Sequence, residues 1–215
     1  MNLQSTVLID NQFFPPISYF KSILQSPLQK ASIKRIILEK NEHFQKGTYR
    51  NRCHIATAQG IHVLSVPLKK GKNQQQKITD VQIANDVNWQ RPMWRTLQTA
   101  YGNAPFWEHY APIFEPYFSQ NVDFLFDYNS QIIHTILKIL KLDKSVSISF
   151  SHTYEPIFTE GVDLRNSIKP KSDDKNHTRY AQVFEDRNGF LPNLSILDLI
   201  FCCGGKQALD YLQKP

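Results

Sequence analysis

Apolar residues along the chain cluster in short runs with changing period, and each period implies an element. Thr6 to Ile9 is a β-branched and aliphatic run that ends in the polar turn Asp10-Asn11-Gln12. Phe13-Phe14-Pro15-Pro16 follows, and then Ile17, Phe20, Ile23 and Leu24 at helical spacing. Proline suits a helix start because the first N–H groups lack intrahelical partners there. Ser26-Pro27 stops this helix, and Ile33 to Leu38 reads as a second strand, so the first forty residues form a βαβ unit. Cys53 to Thr57 and Ile61 to Leu68 flank Ala58-Gln59-Gly60 as a hairpin, the second run reading as a buried strand. Lys69 to Lys77 is a basic, Gln-rich linker, and Ile78 to Ile83 reads as a short strand.

From Trp89 onward the period becomes helical. Trp94, Leu97 and Tyr101 define one helix ending near Gly102, Pro105 to Phe118 a second and Val122 to Leu140 a third. Ser145 to Ser151 alternates and reads as the last strand. Thr159 to Thr178 reads as a long polar loop, and Ser195 to Leu212 as a C-terminal helix capped by Asn193 or Ser195 and bent at Gly204-Gly205. These elements predict a single α/β domain over residues 1–215. A small mixed sheet from residues 1–85 packs on helices of residues 86–142, and residues 143–215 add a strand, the loop and the tail helix. A doubly wound order is compatible with the pattern.

Composition narrows the class. Hydrophobic residues make up 41% and aromatics 12%, and so many large rings can build a core despite the modest apolar share. The net charge of +6 is unevenly spread. Between Lys30 and Lys77 eleven Lys or Arg face only two acids, Glu39 and Glu42. A local basic excess implies an anionic partner: a phosphate, a nucleotide such as a nucleotide sugar, a carboxylate or a nucleic acid. Nucleic acid is the weakest partner class, since no motif for it appears. The three cysteines fit neither a disulfide framework nor a zinc site. With no secretory leader and no apolar run of about 20 residues, this predicts a cytoplasmic protein without a membrane span. No metal site, cofactor or oligomeric state follows from the pattern.

The densest polar cluster runs from His43 to His54. Arg50, Arg52 and Lys46 suit phosphate or carboxylate oxygens, and Asn51 and Gln45 can read hydroxyls. His43 is a candidate acid–base residue, because imidazole is the side-chain type that exchanges protons near neutral pH. Asp10 and Gln12 stand at the carboxyl end of the first strand, where open α/β sheets bind ligands, and Asp10 is the other acid–base candidate. Trp89 and Tyr101 are candidate stacking residues. Cys53 and His54 alternate on a strand and so point apart, which places Cys53 in the core. Asp198 interrupts the apolar stripe of the last helix and requires a partner, for which Arg50 or Arg52 would serve.

Several of these pieces occur together in one known family. Gln12-Phe13-Phe14-Pro15-Pro16-Ile17-Ser18-Tyr19-Phe20 resembles the opening of the WbqC-like family, as does Phe44-Gln45-Lys46-Gly47-Thr48-Tyr49-Arg50-Asn51-Arg52-Cys53-His54-Ile55. Gly60 with Val66-Pro67, Trp89 with Trp94 and Tyr101 before Ala104-Pro105-Phe106, and the tail Tyr180 to Phe184, Phe190 to Phe201 and Gly204 extend the likeness over the chain. The resemblance implies a protein of bacterial surface-polysaccharide (O-antigen-type) loci, with glycine or another aminoacyl or acyl group transferred to an amino sugar or nucleotide-linked sugar. A non-catalytic binding or scaffolding subunit is the alternative. One departure is visible: similar sequences often carry a His shortly after the Trp that matches Trp89, where this chain has Arg91-Pro92-Met93.

Overall fold

The computed structural model describes residues 6–25, 35–69, 76–170 and 178–214. The Thr6–Asp10 run forms strand β1, buried along its whole length, as expected of a strand with neighbours on both sides. Helix α1 (Ile17–Leu24) follows Pro16, and strand β2 (Arg35–Glu39) returns parallel to β1, with Asp10 opposite Glu39. The βαβ unit is therefore present. Residues 70–75 of the Lys69–Lys77 linker, the helix stop at Ser26-Pro27 and part of the late polar loop lie outside the described residues.

Strands β3 (Arg52–Thr57) and β4 (Gly60–Ser65) form the expected hairpin, which is a separate two-stranded sheet. β4 is not a buried strand: Ile61 and Val63 are 50% and 44% exposed, and only Leu64 turns inward. The run at Ile78 makes a 3-10 turn (Ile78–Asp80) in place of a strand. Helices α2 (Gln90–Tyr101), α3 (Trp107–Phe114) and α4 (Leu125–Ile139) follow, with a 3-10 turn over Glu115–Phe118. Their rings build an aromatic core in which Trp94 stacks on Trp107 and Phe118, and Phe114 meets Phe14 and Phe201 edge-on.

The main sheet is not confined to the first 85 residues. Strand β5 (Ser147–Phe150) pairs parallel with β2, and strand β6 (Val162–Asp163) pairs parallel with β1. The order is β5-β2-β1-β6, all parallel. The β6 pairing lies within the segment expected to be wholly loop. Two residues carry no periodicity, so only their backbone bonds to β1 make them a strand.

Two parallel edge strands must be joined by a crossover, and here it is a loop, residues 151–161. It begins beside Glu39, where Ser151 Oγ donates to the carboxylate, and ends where Gly161 touches the start of β1. A Cβ on Gly161 would lie 2.1 Å from the Thr6 carbonyl oxygen, so only glycine permits this approach. Val7, Ile9, Ile36 and Leu38 face the main core. Leu8 and Ile37 alternate to the other face and line a small cavity with Phe158 of the crossover.

After the short helix α5 (Glu185–Asn188), helix α6 (Ile196–Gln213) closes the core against α1 and α3. Ser195 caps it, its hydroxyl accepting from the Leu197 N–H. Gly204, at φ 75 and ψ 161, bends it.

Candidate functional site

β1 and β2 end side by side in two buried carboxylates, Asp10 and Glu39. Beyond Glu39 the chain folds through irregular turns to residue 50, and these turns bring Glu42 and Arg50 back over the strand ends. Arg50 is the largest fully buried side chain. Its Nε donates to Glu42 Oε1 at 2.7 Å and its Nη2 to Glu42 Oε2 at 2.5 Å, a two-pronged pair. Nη2 also donates to Asn166 Oδ1 at 2.9 Å, and Nη1 lies 3.7 Å from Asp10 Oδ2.

Asp10 is occupied on both oxygens. Oδ1 accepts the Asn166 backbone N–H at 2.9 Å, and Oδ2 accepts Gln12 Nε2 at 2.8 Å. Gln12 also donates to the Ile168 carbonyl, and Asn129 Nδ2 to the Arg50 carbonyl. Glu39 accepts from Ser151 Oγ, from the Asn41 N–H and from Arg165 Nη1 at 3.1 Å. Arg165 further binds Asp163 and the Glu155 carbonyl, and its guanidinium lies over the Tyr154 ring at 4.8 Å.

Three buried carboxylates, Asp10, Glu39 and Glu42, thus meet two guanidiniums, Arg50 and Arg165. Burial pushes Glu42 above the usual carboxylate range, with Asp10 and Glu39 adding to it and Arg50 pulling back. Burial works against the charge on Arg50, but the Glu42 hydrogen bond and the charges of Asp10 and Glu42 outweigh it and hold Arg50 protonated. Burial, followed by the charges of Asp10 and Glu42, raises Tyr19 well above its ordinary value. Its hydroxyl donates to the Asp10 carbonyl at 3.1 Å.

In front of this wall lies a crevice of about 640 Å³, lined by Asn41, Glu42, His43, Phe44, Gln45, Lys46, Tyr154 and Asn166. It sits at the carboxyl edge of a parallel sheet, the usual ligand position in open α/β folds. Its volume is in the range of small-molecule sites, about 300–1,000 Å³. The side chains of His43 and Lys46 are exposed and have no hydrogen-bond or ion-pair partner among the described residues.

Of the residues singled out by sequence, His43, Gln45 and Lys46 line the crevice. Asp10, Gln12 and Arg50 form the wall behind it. Asn51 is turned to the hairpin, donating to the Val66 carbonyl at 3.0 Å, and Arg52 is half-buried on β3. Trp89 packs edge-on against Tyr128 in the core. Tyr101 belongs to a second buried cluster, where its hydroxyl donates to Asp198 at 2.9 Å beside Tyr180 at 2.6 Å. Those two tyrosines, with Gln182, are the partners of Asp198 in place of the expected Arg50 or Arg52, whose positions are set by Glu42 and by β3. Burial pushes the Asp198 carboxyl up to about 6, and the hydrogen bonds from Tyr180, Tyr101 and Gln182 only partly oppose it. Cys53 lies in the core, its thiol raised by burial.

Asn41, Glu42, Tyr154, Arg165 and Asn166 escape the sequence reading as site residues. Glu42 is visible there only as one of two acids in a basic segment. Tyr154 and Asn166 reach the crevice through the crossover and the turn after β6, for which the sequence has no periodic signal. Among the described residues no group of three His, Cys, Asp or Glu side chains is placed to hold a metal ion, and no helix is long and apolar enough to cross a membrane.

Residues 11–161 match the WbqC-like protein family, well over half of the chain. The chain belongs to the WbqC-like family. The matched span contains the crevice lip from Asn41 to Lys46 and also Tyr154, but stops short of Asn166. The chain is also similar to an uncharacterized Mycobacterium tuberculosis protein, Rv1507c, at 23% identity over 236 residues, covering 98% of each chain. No solved structure matches this WbqC-like chain.

Proposed function

We propose that the crevice is the active site of a group-transfer enzyme of surface-polysaccharide assembly. It would move an acyl or aminoacyl group, glycine among them, onto an amino sugar or nucleotide-linked sugar. The supporting observation is the polar crevice at the carboxyl edge of the parallel sheet, with His43 and Lys46 on its lip, neither side chain partnered among the described residues, and a carboxylate-rich wall behind. Lys46 holds the anionic part of the ligand. Asn41, Gln45 and Asn166 are suited to hydroxyls, because an amide both donates and accepts.

In this reading the sugar amine forms a bond to the donor carbonyl carbon, and the bond from that carbon to the leaving group breaks. His43 takes the amine proton and returns it to the departing group. Asp10, whose two oxygens accept from Asn166 and Gln12, positions the turn that carries Asn166.

A transfer assay with amino sugars and acyl-CoA or aminoacyl donors tests this. His43→Ala is expected to lower the rate by about 10²–10⁴-fold without lowering Tm, and Lys46→Ala to weaken ligand binding. Unchanged turnover and binding in both variants would overturn the assignment. A second reading, a non-catalytic binding subunit, is favoured by one observation: His43 has no orienting hydrogen bond among the described residues. Ligand binding without transfer by the wild-type protein would select it.

A further inference from the structure

We infer that Tyr154 is a stacking platform for a nucleobase, so that the ligand of the crevice is a nucleoside diphosphate or its sugar conjugate. This rests on the crevice being the ligand site and names the substrate class it takes. Tyr154 stands in the crevice wall and is 52% exposed. Half-exposed tyrosines on loops are common, and most recognise nothing. This one is held from behind. The Arg165 guanidinium covers one face of the ring at 4.8 Å, so the exposed area belongs to the other face and the edges.

The backing group is itself fixed. Arg165 is tied to Glu39 at 3.1 Å, to Asp163 at 2.6 Å and to the Glu155 carbonyl at 2.7 Å, and its side chain is almost wholly buried. A ring backed on one face by a fixed group has fewer orientations to lose on binding, which favours affinity from a single stacked contact.

The guanidinium also selects the partner. A cation on one face of a tyrosine draws electron density toward itself and weakens the negative face opposite. Sugar C–H groups seek that negative face, so they gain less from this ring. A heteroaromatic base stacks through dispersion and its own π face and extends the guanidinium–ring–base sandwich. Lys46 lines the same crevice and can take the diphosphate. A volume of about 640 Å³ has room for a ligand of this size.

The test is isothermal titration of the full chain with UDP, CDP, ADP, GDP, inorganic pyrophosphate and glucosamine 1-phosphate. At least one nucleoside diphosphate should bind more tightly than pyrophosphate. Tyr154→Ala should weaken that nucleotide on the order of tenfold, toward the pyrophosphate value, while Tyr154→Trp retains it. The affinity for glucosamine 1-phosphate should not change in either variant. Because the ring is half exposed, Tm should stay unchanged. Equal nucleotide binding by wild type and Tyr154→Ala overturns the inference. So does binding of pyrophosphate or glucosamine 1-phosphate, lost in Lys46→Ala, to which no nucleoside adds affinity; the crevice reading then survives alone. If no probe binds, the inference is overturned, and the transfer assay with acyl-CoA or aminoacyl donors then decides the crevice reading separately.

Discussion

Arg50 is the residue that sequence reasoning and tertiary structure use most differently. Its type suits an anionic ligand, and the ligand it meets is internal, the carboxylate of Glu42 eight positions earlier. Removing one partner of such a pair strands the other charge in a dry site, so the pair is kept for the geometry it imposes on the turns between them. Asp198 poses the opposite problem, a buried carboxylate with no cation. Its partners are neutral tyrosine hydroxyls, and burial pushes its pKa up to about 6 from an ordinary value of 3.8. Between those values the folded chain holds a proton that the unfolded chain has released, so stability from this group falls as pH rises from roughly 4 to 6 and stays lower above. A shift of about two units corresponds to about 3 kcal/mol. Asp198→Asn is expected to remove that downward slope, read as the wild-type-minus-variant difference in urea stability between pH 4 and pH 7. An unchanged slope would show that Asp198 titrates alike in both states.

At the scale of elements, legibility follows periodicity. β1, α1, β2 and α4 read directly from the chain because each has a run long enough to show its period. Helix α6 reads equally well, and so does its bend, since adjacent glycines are a known breaker; its cap reads as Asn193 or Ser195, and the structure takes Ser195. Gly204 has a second constraint that the sequence hides: a Cβ there would lie 2.8 Å from the Phe106 ring. With φ at +75 and ψ at 161, an alanine would be strained by backbone and crowded by ring. Gly204→Ala is expected to cost about 2–3 kcal/mol in denaturant unfolding; a loss below about 0.5 kcal/mol would mean the ring and backbone adjust freely. β4 misled the reading for the same periodic reason. Ile61-His-Val-Leu-Ser-Val looks buried because its residues are apolar, yet a two-stranded hairpin has one face to hide, and Ile61 and Val63 point away from it.

At the scale of the whole molecule, one crossover organises the rest. Residues 151–161 cover the second face of the sheet, carry Tyr154 to the crevice and deliver β6 to the edge of β1. Arg165 fastens this path to β2 through Glu39. Arg165→Ala is expected to speed amide hydrogen exchange at residues 154–163 while β1 and β2 keep their protection, because the core face of the sheet does not use Arg165. Equal exchange in variant and wild type would place the anchor of the crossover elsewhere. The positive charge of the chain also looks different at this scale. Among the bases of the rich stretch, Arg50 is paired inside and Arg35 bonds Ser149, whereas Lys46 reaches a cavity with no side-chain partner among the described residues.

The sequence by itself determined the α/β class, the opening βαβ unit, the hairpin, the helices and the family, because these rest on local periodicity and on motif order. It also placed His43, Gln45 and Lys46 at the segment that borders the crevice. Only the tertiary structure decided the sheet order, the two-residue β6, the pairing of Arg50 with Glu42 and Asp10, the tyrosine partners of Asp198, and the arrival of Tyr154 and Asn166. These depend on contacts between distant segments, or on whether a polar group faces water or another polar group. Residue type and spacing leave that choice open, and packing resolves it.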